Sequence, residues 1–205
     1  MPTFTLWPHT DAAPWQDALA SYDDAIAQLP SERLAGHDQW YRFELPALIA
    51  ARAPHHVTHD EMVRITEWKM ARGVWRAPNL VLVRNNPPGA VEDATAKASG
   101  LLDVPAKAVA AVSALGGVGP ATASAVLAVI DPHRFPFFDE IVTQQMAPHV
   151  DELGKIAWTA VYYRKYAAAL VARAQVLREV LGESWTATHC ERALWAHGIH
   201  AGARV

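Results

Sequence analysis

Residues 116–119, with the sequence GGVG, separate two alanine-rich apolar segments. The first segment begins at Pro105 and the second at Pro120, and each has the length and composition of a short helix. Proline suits the first turn of a helix, where its missing N–H is not needed. A linker of four residues leaves room only for a tight connection between two helices. The sequence therefore predicts a helical hairpin, around which the rest of the chain has to pack.

The spacing of apolar side chains is helical over most of the chain. Residues 15–29 carry apolar side chains three and four positions apart, and Pro30 ends this pattern. Pro46 is expected to bend or begin a helix, and residues 156–181 form the longest helical segment. Residues 80–84, LVLVR, are the only short candidate for a strand. We predict an all-α protein built from many short helices.

Capping patterns mark two helix starts near the middle and the end of the chain. Thr58 and Glu61 have the spacing of a capping box, and so have Thr188 and Glu191. Gly198 is expected to end the helix that begins with the second pattern.

Composition narrows the class of protein. The chain has 205 residues, 51% of them hydrophobic, and no apolar run approaches the length of a membrane span. The N-terminal sequence lacks the basic start and apolar centre of a signal peptide, so an intracellular setting is expected. The single Cys190 excludes a disulfide framework and a four-cysteine iron–sulfur cluster. A net charge of −3 argues against a protein that coats nucleic acid by charge alone.

The predicted hairpin has the backbone features of an anion site. Gly117 and Gly119 can adopt a positive φ without a Cβ clash, and Val118 can insert between the two helices. Successive N–H groups at the start of the second helix would then face outward, with the helix dipole behind them. An ordinary corner between two helices that happens to use glycine is the alternative interpretation.

The pattern V-x-x-L-x-G-V-G-x-x-x-A-x-x-V, from Val112 to Val126, resembles the helix-hairpin-helix DNA-binding motif at each of these positions. A proline-containing loop and Asp139 follow, with Asp139 20 positions after Gly119. This order and spacing resemble the helix-hairpin-helix-GPD superfamily of DNA glycosylases, over residues 110–142 and about a sixth of the chain. Two further segments, EWKMARGVWR and CERALWAHG, resemble a poorly characterised branch without an iron–sulfur cluster. The implied DNA-backbone-binding residues are Gly117, Val118, Gly119, Ala121 and Thr122.

The resemblance implies a two-lobed helical fold with a DNA cleft between the lobes. Residues 1–57 would pack with a C-terminal lobe of residues 136–205, and residues 58–135 would form the middle lobe, with the hairpin at about residues 106–130. The implied partner is double-stranded DNA, bound by a monomer in the cytoplasm with the nucleoid, or in the nucleus of a eukaryote.

Asp139 is the catalytic residue that the resemblance implies. An ionised carboxylate beside the anomeric carbon stabilises the positive charge that develops on the sugar when a base departs, and it can activate a water molecule. The residues alone indicate an N-cap, because Asp139 precedes a helical pattern. The two roles are compatible, since the helix dipole would keep the carboxyl ionised. Glu140 is expected to face solvent.

One departure from the family pattern bears on the reaction. Family members that also cut the strand carry a lysine two positions after the second hairpin glycine, and here Ala121 occupies that position. The implied enzyme is therefore monofunctional, and the sequence alone does not place Lys69 near Asp139. It would need no metal or organic cofactor, although a monovalent cation, K⁺ or Na⁺, at the hairpin carbonyls is consistent with the family. His55 and His59 are four positions apart, but a solvated loop is favoured over a metal site.

Candidates for a base-recognition pocket are aromatic and cationic side chains near the motif. Trp68 and Lys69 lie in a cationic segment, and Tyr162 and Tyr163 follow the aspartate. The competing interpretations are a non-catalytic DNA-binding protein on the same scaffold and a structural helical protein whose hairpin serves protein contacts.

Overall fold

Proline and glycine divide the chain into short helices. The computed structural model describes residues 5–203, and within them the chain is helical and contains no strand, which confirms the all-α prediction. None of these helices is long and apolar enough to cross a lipid bilayer. The helices are α1 (Ala12–Ala20), α2 (Tyr22–Ala27), α3 (Leu34–Gln39), α4 (Leu45–Ala50), α5 (His59–Arg72), α6 (Ala77–Arg84), α7 (Pro88–Ser99), α8 (Pro105–Ser113), α9 (Pro120–Ile130), α10 (Glu140–Met146), α11 (Ala160–Leu181) and α12 (Ala187–His200).

The strand candidate at residues 80–84 is wrong, because these residues form the second half of α6. Leu80 and Val83 are buried, whereas Val81 and Leu82 are about half exposed. Buried positions three apart match one face of a helix, and a strand would bury every second residue. A run of four apolar residues is too short for the sequence to separate the two patterns.

One predicted helix differs from expectation in its interior. The helix predicted over residues 15–29 breaks at Ser21, which separates α1 from α2 and whose hydroxyl donates to the carbonyl of Ala18 at 2.9 Å. The expectation for Pro46 is confirmed, because Pro46 lies in the first turn of α4. A π-helical turn (Trp40–Glu44) joins α3 to α4 just before it.

The predicted capping boxes have different outcomes. The Thr58–Glu61 box is confirmed. The second box begins two residues earlier than predicted: the Thr186 hydroxyl accepts from the His189 N–H at 3.2 Å, and His189 Nδ1 accepts from the Thr186 N–H at 3.0 Å. Glu191 is therefore free of a capping role, and its carboxylate points into the protein interior.

Gly198 does not end α12, which continues to His200. A Cβ at Gly198 would lie 2.4 Å from Ile141 Cγ2 and 2.8 Å from Gln145 Nε2. Glycine at this position therefore permits the close approach of α12 to α10, which follows the candidate catalytic aspartate.

Helix packing brings distant parts of the chain together. α12 packs against α1, α2, α10 and α11, while α5 packs against α3, α6, α7 and α9. α8 packs against α7, α9 and α11, and the buried apolar side chains form one continuous cluster. Lobe boundaries near residues 57 and 135 stay predictions.

Candidate functional site

The predicted hairpin joins α8 to α9. Gly117 has φ of +74°, and a Cβ there would lie 2.5 Å from the Asn79 carbonyl oxygen, so both conformation and space require glycine. Gly119 differs from expectation: its φ is −89°, which any residue adopts, and a Cβ there would meet no atom within 4 Å. Val118 between them is 5% exposed and packs into the core, as predicted.

Asn86, just after α6, holds the hairpin through its side-chain amide. Its Oδ1 accepts from the Gly116 N–H at 2.8 Å, and its Nδ2 donates to the Gly116 carbonyl at 2.9 Å. Proline at position 116 would lack the N–H that makes the first of these bonds.

The start of α9 presents backbone donors. Gly119 is the N-cap and Pro120 the first helical residue. Within residues 5–203, the N–H groups of Gly119, Ala121 and Thr122 donate to no other residue. Three outward N–H groups at the start of an eleven-residue helix are a site for an anion such as phosphate.

These donors open onto a cleft of about 310 Å³. Four parts of the chain converge there: the end of α5 with the loop and the start of α6 after it, the hairpin, the segment before α10, and the loop before α11. Lys69 precedes Gly117 by 48 positions and Gly119 precedes Asp139 by 20, so the tertiary fold brings these parts together. Its principal lining residues are Lys69, Val74, Arg76, Asn79, Gly117, Gly119, Pro120, Ala121, Thr122, Phe137, Phe138, Asp139, Glu140 and Trp158.

Asp139 lines the cleft and caps α10. Its Oδ1 accepts from the N–H groups of Ile141 at 2.8 Å and Val142 at 3.3 Å. The other oxygen, Oδ2, accepts no hydrogen bond from residues 5–203 and lies 3.7 Å from Arg72 Nε. One carboxylate oxygen thus caps the helix, and the other lies near Arg72 without a hydrogen bond from the described residues.

Burial raises the pKa of Asp139 above the usual value for an aspartate, although Arg72, the two capping N–H groups and Lys69 act in the opposite direction. The N–H groups at the start of α10 thus lower the pKa of this carboxyl as expected, but burial sets the direction of the net shift. At 7% exposure, the loss of hydration outweighs the dipole.

Behind Asp139 lies a buried ionic cluster. The Arg72 guanidinium pairs with the carboxylate of Glu191, and both side chains are 1% exposed. Arg72 lies over the ring of Trp195, with its Cζ 4.2 Å from the ring centroid. Burial raises the pKa of Glu191 to about 7, while Arg72 opposes this shift. The cluster joins α5, α10 and α12 behind the cleft.

Lys69 and Arg76 are the cationic side chains of the cleft. Burial and the nearby Arg76 lower the pKa of Lys69, and Asp139 raises it. Lys69 and Asp139 line the same cleft, although the sequence alone did not place them near each other. The other arginines of the cationic segment have partners elsewhere: Arg64 lies over Trp40, and Arg84 pairs with Glu67.

The aromatic candidates do not line the cleft. Trp68 is 1% exposed, stacks on Tyr41 at a centroid distance of 3.8 Å and donates from its indole N–H to Asp38. Tyr162 and Tyr163 are also buried, and the Tyr163 hydroxyl donates to the Pro136 carbonyl at 3.1 Å. All three side chains are core residues, so they cannot stack on a base without repacking.

The aromatic side chain that does line the cleft is Trp158, which the sequence analysis did not single out. It is 46% exposed, and its ring centroid lies 4.7 Å from that of Phe138. The sequence analysis placed residue 158 inside the helix predicted over residues 156–181, whereas α11 begins only at Ala160, so Trp158 lies in the loop before it. Glu140 was expected to face solvent, but in the structure it also lines the cleft.

Two carbonyl groups of the hairpin already accept hydrogen bonds within the protein. The Leu115 carbonyl accepts from the Val118 N–H at 3.2 Å, and the Gly116 carbonyl accepts from Asn86. A cation at either oxygen would have to share it with the existing donor. No group of three or more histidine, cysteine or acidic side chains in the described part of the chain could hold a metal ion.

Comparison with protein-family models, curated proteins and solved structures finds no match to this chain. A functional conclusion therefore depends on the geometry and chemistry of the cleft.

A glycine substitution tests the anion site. Gly119→Ala adds a Cβ to open space at an ordinary φ, so the free energy of unfolding should change by less than about 0.5 kcal/mol. The added methyl group projects beside the N–H donors, so affinity for duplex DNA should fall several-fold for every sequence alike. Thermal unfolding and a gel-shift titration measure the two effects.

Gly89→Ala in α7 is the matched control, because a Cβ there also meets nothing within 4 Å. It should leave both measurements unchanged. Gly117→Ala should instead destabilise the fold by about 1–3 kcal/mol, since it combines positive φ with a backbone clash. Unchanged DNA affinity in Gly119→Ala would remove the hairpin from DNA binding.

Proposed function

We propose that this protein is a DNA N-glycosylase that removes a damaged or mismatched base from double-stranded DNA. One observation carries the proposal: Asp139 and the hairpin residues with unpaired N–H groups line the same cleft. The N–H groups are suited to a phosphate and the Asp139 carboxylate to the sugar next to it. The setting of the reaction is the nucleoid, or the nucleus of a eukaryote, and the active form is a monomer.

In the proposed reaction, the hairpin binds the backbone beside the lesion, and the target nucleotide rotates out of the stack into the cleft. The departing base leaves positive charge on the sugar, which the Asp139 carboxylate stabilises. Asp139 Oδ2 also orients a water molecule for attack at the anomeric carbon. Because burial raises the pKa of Asp139, the carboxylate accepts a proton from that water more readily than an exposed aspartate would.

Other cleft residues have supporting roles. Arg76 is exposed at the rim and adds positive charge beside the phosphate-binding N–H groups, which offsets the acidic balance of the chain. Trp158 offers an exposed aromatic face on which a base can stack. Ala121 supplies no amine, so the proposed hydrolysis includes no lyase step through the hairpin.

A non-catalytic DNA-binding protein is the second candidate. One observation favours it: Asp139 has two structural roles, as the N-cap of α10 and as a charged neighbour of the buried Arg72. These roles would explain an aspartate at this position without catalysis.

Incubation with a panel of lesion-containing duplexes, followed by alkaline cleavage, tests the proposal. A glycosylase leaves abasic sites that alkali converts to strand breaks, and a gel shift on the same duplexes reports binding. Binding without base release across alkylated, deaminated and mismatched substrates would favour the second candidate. A protein that binds none of the duplexes is neither a DNA glycosylase nor a non-catalytic DNA-binding protein.

A further inference from the structure

The guanidinium of Arg72 is held on three sides, each by a different helix. Its Nη2 pairs with the Glu191 carboxylate on α12, its Nη1 donates to the Tyr22 hydroxyl on α2 at 3.4 Å, and its Nε lies 3.7 Å from Asp139 Oδ2. Its Cζ lies 4.2 Å from the centroid of the Trp195 ring. Because the guanidinium is planar, it cannot turn away from Asp139 without disturbing the other two contacts.

The Asp139 side chain is held at both of its oxygens. Oδ1 accepts from the N–H groups of Ile141 and Val142 at the start of α10. Oδ2 lies beside Arg72 Nε, which is buried and donates to no acceptor among residues 5–203. Hydrogen bonds thus fix one oxygen, and the positive charge of Arg72 attracts the other.

The charges around Asp139 make Arg72 the main force against protonation of its carboxyl. An opposite charge within about 4–6 Å favours the ionised form of a carboxyl group. Burial raises the pKa of Asp139, and Arg72 is the strongest of the groups that lower it, ahead of Lys69. Glu191 is a like charge, and Tyr166 on α11 stays neutral because burial raises its pKa.

We propose that Arg72 is a positioning residue for base release: held by Glu191, it keeps the buried Asp139 side chain as a carboxylate and fixes its Oδ2 in place. Arg72 lies behind the cleft, so it acts on the sugar only through Asp139. This inference rests on the proposed function, because only base release requires the carboxylate to face a sugar.

A comparison of two variants without a charge at position 191 isolates the effect of Arg72. The reference is Glu191→Gln, in which the glutamine carbonyl can still accept from Arg72 Nη2. The test variant is Arg72→Met/Glu191→Leu, which removes the guanidinium and leaves no buried glutamate without its partner. The measurement is single-turnover base release on the best lesion of the panel, from about pH 5 to about pH 9.

The pH profile should distinguish the two variants. The rate falls as the pH drops through the pKa of Asp139, because the carboxyl acts in its ionised form. Loss of Arg72 raises that pKa, so the acid limb of the test variant should lie about one to three pH units higher than that of the reference. The rate should recover at higher pH. A purely structural loss would be equal at every pH, and that result, or an unmoved acid limb, overturns the proposal.

A carboxyl NMR titration of the free protein separates this inference from the proposed function. The Asp139 signal is identified by its absence from Asp139→Asn, and its titration midpoint should be higher in the test variant than in the reference by the same shift. A shifted midpoint in a protein that releases no base would support the effect of Arg72 on Asp139 and reject the glycosylase. Equal midpoints would overturn the inference whatever the activity.

The matched control is Arg84→Met/Glu67→Leu, which removes an arginine–glutamate pair at the surface between α6 and α5. It should leave both the Asp139 midpoint and the pH profile unchanged. If Arg72→Met/Glu191→Leu does not fold, Arg72→Gln/Glu191→Gln replaces it, since two amides can hydrogen-bond to each other. This second variant also lacks the guanidinium charge, so it should show the same upward shift.

Discussion

Asp139→Asn is expected to slow base release about a hundredfold or more, which corresponds to the loss of one well-placed electrostatic group worth about 2.7–4 kcal/mol. Asparagine has nearly the size of aspartate but carries no charge for the developing positive charge on the sugar. It also cannot accept the proton of an attacking water molecule. Single-turnover kinetics on the best lesion from the panel measure the effect without interference from product release.

The remaining properties of Asp139→Asn should be close to those of wild type. The asparagine carbonyl can still accept from the Ile141 and Val142 N–H groups, and asparagine caps a helix about as well as aspartate. Burial already disfavours the ionised carboxyl, so removal of its charge should change the stability by about 1 kcal/mol or less. DNA affinity should stay equal or rise, because a neutral side chain no longer repels phosphate.

Asp151→Asn, in the exposed loop after α10, controls for the loss of one negative charge from the protein. It should leave the rate of base release unchanged. An Asp139→Asn variant that folds, binds DNA and excises the base at the wild-type rate would remove Asp139 from the mechanism.

Glu191→Ala is expected to lower the free energy of unfolding by about 3 kcal/mol, because it leaves the fully buried Arg72 without its closest partner. This value is at the lower end of the losses expected when a buried ion pair is broken, because Asp139 remains 3.7 Å from Arg72 Nε. Denaturant unfolding at pH 8 is the measurement, because Glu191 is ionised above its pKa of about 7.

The matched control is Glu67→Ala, which breaks the Arg84–Glu67 pair at the surface, where the Arg84 side chain is 53% exposed. Surface pairs contribute about 0–1 kcal/mol, so this variant should lose much less stability. The double variant Arg72→Met/Glu191→Leu should recover most of the loss, because it buries no charge. Equal losses in Glu191→Ala and Glu67→Ala would contradict the buried-pair interpretation.

Sequence patterns that act over a few residues were sufficient to predict most of the helices. Prolines and glycines mark their ends by effects that act within a few residues, as at Pro105, Pro120 and Gly182. Prediction failed where tertiary packing decided the outcome. Gly198 matches a helix terminator in sequence, but the approach of α10 is what requires it.

The candidate site was predictable only in the part that is contiguous in sequence. The hairpin and Asp139 lie within residues 110–142, so one motif identifies both. Lys69 and Trp158 come from α5 and from the loop before α11, and only packing brings them to the cleft. Trp68 illustrates the limit: it adjoins Lys69 in sequence, but on a helix neighbouring side chains point about 100° apart, so one is buried and the other lines the cleft.

The Asn86 clamp has a consequence for the thermodynamics of DNA binding. Because both backbone polar groups of Gly116 are fixed by one side chain, the N–H donors at the start of α9 are held in place before any phosphate arrives. A loop that is ordered in advance loses little conformational entropy on association. Asn86→Ala should therefore weaken DNA binding mainly through a less favourable binding entropy in calorimetry, although Asn86 itself touches no DNA in the proposed complex.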